Sequence, residues 1–396
     1  MEKDIWTERP NLFEPNVYIS MVVKLEGALL PEAVCRAVAD AYAANEATLS
    51  RVVLEADGRA CYEKMQRTGC KIYVDCRDWR DILRESEKRP FDLSAGELVR
   101  TYICPGVSET TLFVHVHHLA GDGKSVLILI EDIVNSLAGK PVSYKPMVCV
   151  DGELLAGKTR LPFIIRCLTQ WANRSWGRVG KAFSWEEYYA IHQSYWESRS
   201  SRITVRTYSV GEIKARCRNG VTLNSYLITD LLREHPQCAV VGIPVSIRED
   251  NRAMSNQTSG IEINYRYRPE RTFEENLACV HKKIYKKLRD ARLKYFVLLF
   301  IAQINPSLMD GILMETHGLY HNRVTAKMAD IMSYTPKRGR DIGVTNLMRI
   351  EFPCEYEQFR IADLLFIPPK VSYAKQVIGI VSIGDRLNVS RHGMEE

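Results

Sequence analysis

The chain has 396 residues, a length that suggests two lobes rather than one ordinary core. Hydrophobic residues make up 46% and charged residues 26%, which is typical of globular proteins, and the longest apolar run, residues 295–302, is too short to span a bilayer. The formal net charge of +6 is mild, and the absence of basic runs interleaved with aromatic residues argues against a nucleic-acid partner.

The cysteines indicate a reducing compartment. There are eleven, an odd number, and none forms a Cys-x-x-Cys pair. The first residues, Met-Glu-Lys-Asp-Ile-Trp, contain no apolar core of the kind found in secretory signals. We therefore expect free thiols and a cytoplasmic location. We also expect a monomeric protein.

Apolar periodicity and turn residues predict the elements of the first half in chain order. These are a strand at 17–26, a helix at 31–44, a hairpin at 48–64 with an Asp57-Gly58 turn, a strand at 71–75, a helix at 78–87, and strands at 101–104 and 111–117. An apolar helix follows and runs to about residue 137, where Gly139 and Pro141 end it.

The middle of the chain is less regular. Residues 141–158 have the composition of a linker. The segment 160–183 mixes Phe163, Ile164, Trp171 and Trp176 with basic residues, and two interpretations stay open. It is either an amphipathic helix that contacts a membrane or an acyl chain, or a helix packed on the lobe surface with solvated arginines.

The second half again mixes helices and strands. The predicted elements are strands at 203–210, 239–247, 260–267, 341–350 and 361–367, helices at 222–234, 273–288 and 293–303, and a closing hairpin at 376–390. Neither half alternates regularly between strand and helix, which favours α+β lobes with mixed sheets.

Three of the nine histidines lie between positions 115 and 118, at the end of a predicted strand and before a glycine-containing turn. Alternation along the strand puts His115 and His117 on one face and His118 on the other. Three interpretations are open from residue types alone. A neutral imidazole could act as a general base, His115 and His117 could ligate zinc in a hydrolase, or the rings could simply be packed.

The motif His117-His118-x-x-x-Asp122-Gly123 is the signature of the condensation-domain and chloramphenicol-acetyltransferase-like superfamily, and the chain resembles that superfamily elsewhere. Other segments are similar to family motifs in family order, across residues of about 45 to 390. They are Arg89-Pro90-Phe91-Asp92-Leu93 with Leu98 and Arg100, Gly220-Val221-Thr222-Leu223-Asn224, Ile243-Pro244-Val245-Ser246-Ile247-Arg248, and Val344-Thr345-Asn346-Leu347.

The resemblance implies two chloramphenicol-acetyltransferase-like lobes, each a mixed sheet flanked by helices, with a reaction tunnel between them. We place the first lobe at 1–145, a linker and basic amphipathic segment at 146–185, and the second lobe at 186–396. The family's crossover implies that part of the chain after about residue 341 covers the first lobe.

The resemblance also assigns roles to residues of the motif. His118 would be the general base, His117 would support its loop, and Asp122 would hold the loop by pairing with an arginine. Arg51 is our candidate for that arginine. Gly123 would allow the backbone to approach the donor's pantetheine arm.

Asn346 and Ser382 are polar residues in predicted buried strands, and we expect one or both to face the tunnel and contribute to an oxyanion site. The implied activity is acyl transfer from coenzyme A or an acyl carrier protein to a small alcohol or amine. The thioester would be a co-substrate, with no permanently bound cofactor. The alternative is a non-catalytic condensation-like protein that binds a carrier protein or assists assembly.

Overall fold

A computed structural model describes residues 2–217, 220–249, 251–335 and 339–395. Within these ranges the strands are β1 Lys3–Asp4, β2 Tyr18–Glu26, β3 Ser50–Leu54, β4 Ala60–Lys64, β5 Lys71–Val74, β6 Val99–Pro105, β7 Glu109–His117, β8 Ser200–Ser209, β9 Val240–Ser246, β10 Thr258–Asn264, β11 Arg340–Arg349, β12 Arg360–Ile367, β13 Ala374–Ile383 and β14 Arg386–Glu395.

The helices within the same ranges are α1 Pro10–Phe13, α2 Pro31–Ala44, α3 Trp79–Lys88, α4 Gly123–Leu137, α5 Gly152–Ala156, α6 Phe163–Gly177, α7 Trp185–Trp196, α8 Val210–Arg216, α9 Leu223–Glu234, α10 Phe273–Arg289, α11 Ala291–Lys294, α12 Phe296–Ile301, α13 Pro306–Thr316 and α14 Arg323–Ile331. Strands and helices are mixed in both halves of the chain, which confirms the predicted α+β class.

The first lobe is built on a five-stranded sheet in the order β12-β2-β7-β6-β5, with a smaller sheet β1-β4-β3 beside it. Helices α2 and α4 pack against each other and against the larger sheet. Their buried side chains recur at helical spacing, as in Val34, Val38 and Ala41 of α2 and Val126, Leu129 and Ile133 of α4. A short turn joins the end of β7 to the start of α4.

The second lobe is built on a six-stranded sheet in the order β10-β9-β11-β13-β14-β8. Helices α9 and α10 cover one face of this sheet and share a hydrophobic core with it. The opposite face of β13 contributes Val381 and Ile383 to the main core, which also contains the first-lobe helices. The two lobes therefore meet along a common apolar core.

Strand β12 belongs to the C-terminal part of the chain but completes the sheet of the first lobe. It pairs antiparallel with β2, with Phe366 opposite Met21. Where it passes β14, the side chains of Asn388 and Ser390 donate hydrogen bonds to the Leu364 and Phe366 carbonyl oxygens. These bonds satisfy carbonyl groups that are buried at the crossing. The expected crossover onto the first lobe is thus present.

Several elements differ from the sequence-based expectation. The predicted helix 293–303 is two helices that break at Tyr295, and the predicted linker contains α5. Helices α7, α13 and α14 were not predicted. Helix α13 is buried on nearly all sides, from Ser307 to Met314, so its sequence has no polar face to reveal a helical period. Among the described residues, no helix is both long enough and apolar enough to cross a membrane.

Candidate active site

The histidine motif forms a tight connection between β7 and α4. Strand β7 ends at His117, one 3-10 turn follows at His118–Ala120, and α4 begins after Asp122. Gly121, at φ 145°, is required in this turn, because a Cβ there would lie 2.5 Å from both Cβ and Oγ of Ser125. Asp122 caps α4 by accepting a hydrogen bond from the Ser125 backbone N–H at 3.0 Å.

His115 and His117 point to the same side of β7 and are fully buried beside the rings of Tyr18 and Phe91. Nδ1 of His117 accepts a hydrogen bond from the Leu119 backbone N–H at 3.2 Å, and Nδ1 of His115 lies 2.8 Å from Oγ of Ser20. Burial lowers the pKa of both rings well below the ordinary value. His117 is therefore a neutral ring that contacts the turn after it.

His118, the first residue of the 3-10 turn, is only part-buried. Burial lowers the pKa of its ring, while the charge of Asp122 and the side chain of Asn256 oppose that effect. Within the described residues Nδ1 is enclosed without a hydrogen-bond partner, and Nε2, which also has no partner there, retains solvent access. The Asn256 amide donates to the His118 carbonyl oxygen at 2.5 Å and fixes the backbone of the turn. The result is a neutral imidazole with one nitrogen open.

Asp122 forms a buried ion pair with Arg248, which lies just after β9 in the second lobe. The Arg248 Nη2 atom is 3.1 Å from Oδ1 of Asp122, and the two side chains are 8% and 6% exposed. Burial by itself would raise the pKa of Asp122. The positive charge of Arg248, together with hydrogen bonds from Ser125, Gln257 and Thr258, holds that pKa below its usual value. The carboxylate is therefore ionised in the folded protein.

The prediction that Arg51 pairs with Asp122 was wrong. Arg51 points outward from β3 and pairs with Glu63 on the neighbouring strand at 2.6 Å, where the two side chains are 45% and 42% exposed. The alternation of β3 buries Ser50 and Val52 and so turns Arg51 to solvent.

A segment of the second lobe, residues 251–258, docks on the motif beside Arg248. The backbone N–H of Gln257 and the hydroxyl of Thr258 donate to Oδ2 of Asp122 at 3.1 and 2.9 Å. The Ser125 hydroxyl accepts from the Ser255 backbone N–H at 3.0 Å. The turn that carries His118 is therefore held from both lobes.

Glu8 is a buried carboxyl group close to the motif that the sequence did not indicate. It accepts hydrogen bonds from the Tyr62 hydroxyl at 2.5 Å and from the Asn256 backbone N–H at 3.3 Å. Burial raises its pKa to about 7, even though these hydrogen bonds act in the opposite direction. Asn256 thus connects Glu8 to the carbonyl oxygen of His118.

Gly123, the first residue of α4, lies against strands β11 and β12. A Cβ at this position would be 2.7 Å from Cδ2 of Leu347 in β11 and 3.4 Å from Cζ of Phe366 in β12. We expected this glycine to make room for a pantetheine arm. The neighbours found at the position are instead side chains of the second lobe and of the crossover strand.

Asn346 and Ser382 are not hydrogen-bonded to His118. Asn346 lies 3.5 Å from the Asn224 side chain of α9, and Ser382 donates to the Met348 carbonyl oxygen at 3.4 Å. Their strand neighbours on the same face, including Val344 and Ile380, belong to the core beneath α9 and α10. These neighbours indicate that Asn346 and Ser382 lie on the face of the second sheet that α9 and α10 cover, and not on the side that carries the motif.

The zinc alternative finds no matching geometry at the motif. Within the described ranges no three His, Cys, Asp or Glu side chains form a group that could hold a metal ion.

A cavity of about 580 Å³ lies on another side of the first lobe, between the five-stranded sheet, α3 and β8, and is lined by residues such as Lys24, Trp79 and Thr207. His118 is not part of its lining, so a tunnel at His118 stays a prediction.

Solved structures similar to this chain share its fold over nearly the whole length. Polyketide synthase associated protein 5 from Mycobacterium tuberculosis matches with a TM-score of 0.63 at 13% identity, covering 99% of this chain and 92% of that one. The first condensation domain of the CDA synthetase matches with a TM-score of 0.61 at 12% identity, covering 98% and 87%. This chain has the condensation-domain fold.

A mutant starter condensation domain of rhizomide synthetase, solved in complex with C8-CoA, matches the same fold with a TM-score of 0.60 at 11% identity, covering 99% of this chain and 89% of that one. The sequence matches no protein-family model and no curated protein. The condensation-domain resemblance seen in the His117 motif is therefore confirmed at the level of the fold.

Sequence reasoning located the turn of this condensation fold but missed the groups that hold it. Arg248 ends a segment that resembles a family strand, and that position was the available signal for the partner of Asp122. No pattern in the sequence indicated Glu8, Tyr62 or Asn256, because each reaches the motif from a distant part of the chain.

Proposed function

We propose that this condensation-fold protein transfers an acyl group from a thioester to a hydroxyl or amine acceptor, with His118 as the general base. The observation that carries the proposal is the neutral His118 ring, with Nδ1 enclosed and Nε2 open. A general base must be unprotonated near neutral pH and must present a free nitrogen to its substrate. The burial-lowered pKa and the unpartnered ring of His118 support this role.

The reaction uses one proton transfer in each direction. Nε2 takes the proton of the acceptor O–H or N–H while the acceptor attacks the thioester carbonyl carbon. The tetrahedral intermediate then breaks its carbon–sulfur bond, and the protonated ring returns the proton to the leaving thiolate. The acceptor is acylated, the thiol is released, and no covalent bond to the enzyme forms.

Asp122 and Arg248 are positioning residues in this proposal. Their ion pair and the hydrogen bonds of Gln257 and Thr258 hold the turn between β7 and α4. A fixed ring orientation matters because a misplaced base loses much of its rate advantage. His117 acts through the same turn by its contact with the Leu119 N–H.

The donor is proposed as coenzyme A or a carrier-bound pantetheine thioester, and the acceptor as a small alcohol or amine. Support for the donor comes from the fold neighbour that was solved with C8-CoA. The acidic phosphates of either donor are compatible with the formal charge of +6.

The test is release of free thiol from a panel of acyl-CoA thioesters of graded chain length, with and without alcohol and amine acceptors. Mass spectrometry of molecules that co-purify with the protein would select the panel. We expect acceptor-dependent release, and a loss of roughly 10²- to 10⁴-fold in His118→Ala. His321→Ala is the matched control, because His321 is an exposed histidine whose partner is Glu315 in α13.

The proposal fails if His118→Ala keeps the wild-type rate on a turned-over substrate. If the protein instead binds a co-purifying thioester and an acceptor without converting them, the non-catalytic alternative replaces the acyl-transfer proposal.

A further inference from the structure

Helix α6 presents an exposed face that combines large apolar side chains with arginines. Phe163 and Ile164 at its start are 75% and 79% exposed, and Trp171 lies about two turns further along the same face. At 100° per residue, Arg174 and Arg178 continue that face at the end of the helix. We call these five residues the α6 face.

The opposite side of α6 is packed inside the protein. Ala172 and Trp176 are buried, and the Trp176 ring nitrogen donates to the Ser307 hydroxyl of α13 at 2.8 Å. The helix is therefore part of the folded core, and the exposure of the α6 face does not come from a loosely attached segment. The face extends roughly 22 Å along the helix axis.

The sequence around this helix is basic. Residues 154–185 contain six basic residues and no acidic one. Lys158 pairs with Glu249, and Lys181 pairs with Glu187. The side chains of the remaining four, Arg160, Arg166, Arg174 and Arg178, have no hydrogen-bond or ion-pair partner in the described part of the chain.

A neighbouring helix adds to the same positive surface. Lys327 of α14 places its ammonium group 4.4 Å from the centre of the Trp171 ring. Unpaired cations beside exposed aromatic and aliphatic side chains are the features of a helix that lies in a membrane interface.

We propose that the α6 face binds the surface of an anionic membrane, with Phe163 and Ile164 inserted at the acyl boundary and the arginines among the headgroups. Charge favours this occupant, because Arg174 and Arg178 on the α6 face, with Arg160 and Arg166 nearby, carry side chains without an ion-pair partner in the described part of the chain. An anionic bilayer attracts such a basic surface, and it receives protruding side chains such as Phe163 and Ile164 without needing a groove of matching shape.

The proposal concerns peripheral binding only. The helix keeps its inner side packed on α13 and α14, so the protein would rest on the headgroup layer while remaining folded. It is independent of the acyl-transfer proposal, because binding to vesicles can be measured without a substrate.

The experiment is co-sedimentation of the full chain with phosphatidylcholine vesicles, with and without phosphatidylglycerol. We expect binding only to the anionic vesicles and release at high salt, since surface potentials are screened by ions. The double variant Arg174→Glu with Arg178→Glu should bind at least about tenfold more weakly. Phe163→Ser with Ile164→Ser should also weaken binding, with less effect on its salt dependence.

The matched control is Lys282→Glu with Lys286→Glu on the exposed side of α10, which changes the formal net charge by the same amount. This control should bind as the wild type does, and circular dichroism should show that all variants are folded. The proposal is overturned if wild-type protein ignores anionic vesicles, if the α10 control loses as much binding as the α6 variant, or if the face binds only an acidic protein.

Discussion

Replacing Arg248 by methionine removes the cation from the ion pair that joins the two lobes at the motif. Arg248 Nη2 contacts Asp122 Oδ1 at 3.1 Å and Oγ of Ser125 at 3.0 Å, and its Nη1 donates to the Ala253 carbonyl oxygen at 2.5 Å. Both charged side chains are less than a tenth exposed. The variant therefore leaves a buried carboxylate without its counter-charge.

The expected loss is about 3–5 kcal/mol in the free energy of unfolding, which is typical when one partner of a buried pair is removed. The four hydrogen bonds that Asp122 keeps from Ser125, Gln257 and Thr258 favour the lower part of that range. Asp122→Asn should cost a similar amount. Both carboxylate oxygens of Asp122 accept hydrogen bonds, and the asparagine would replace one of them with an NH₂ group that faces a donor. The double variant should lose less than the sum of the two single losses.

Urea unfolding followed by circular dichroism measures these losses. Arg51→Met is the matched control, because it removes the cation of an exposed ion pair with Glu63. It should lower the free energy of unfolding by at most about 1 kcal/mol. Equal losses in Arg248→Met and Arg51→Met, or strictly additive losses in the Asp122 and Arg248 cycle, would refute the reasoning.

The folded-state pKa of Asp122 is lowered, so its contribution to stability is present above its unfolded pKa and is lost as pH falls through the lower folded value.

Three other outcomes are expected. Because burial lowers the pKa of His118, kcat/KM should lose activity on the acid side with a midpoint below about 6.5, and a midpoint above that value would contradict a buried neutral base. Glu8 has a folded pKa raised from 4.5 to about 7, so the wild type should lose roughly 3 kcal/mol of stability as pH rises through that window. Glu8→Gln should lack this loss in thermal unfolding at pH 5 and pH 8, and an unchanged pH dependence would assign it to another group. Gly121→Ala should destabilise more than Gly123→Ala, because its Cβ meets Ser125 and its φ is 145°, whereas Gly123 meets the movable end of Leu347. Equal unfolding midpoints for the two glycine variants would show that the turn is not tightly packed.

The sequence alone determined the features that depend on near neighbours in the chain. Helix α2 begins at Pro31 and ends at Ala44, as its periodicity and its proline predicted. The strand, turn and helix around His117 and Asp122 were also predicted, since alternation, a glycine turn and a helix cap each act over a few residues. These short-range effects operate before any distant segment is in place.

The tertiary structure decided which distant groups meet. Arg248 lies 126 positions from Asp122, and only the docking of the second lobe on the first brings its guanidinium to the motif. Arg51 was closer in sequence but is turned to solvent by the alternation of β3. The same applies to Leu347 against Gly123, where a strand of the second lobe meets the start of α4. Such contacts depend on how whole sheets and helices pack, and no local pattern of residues encodes them.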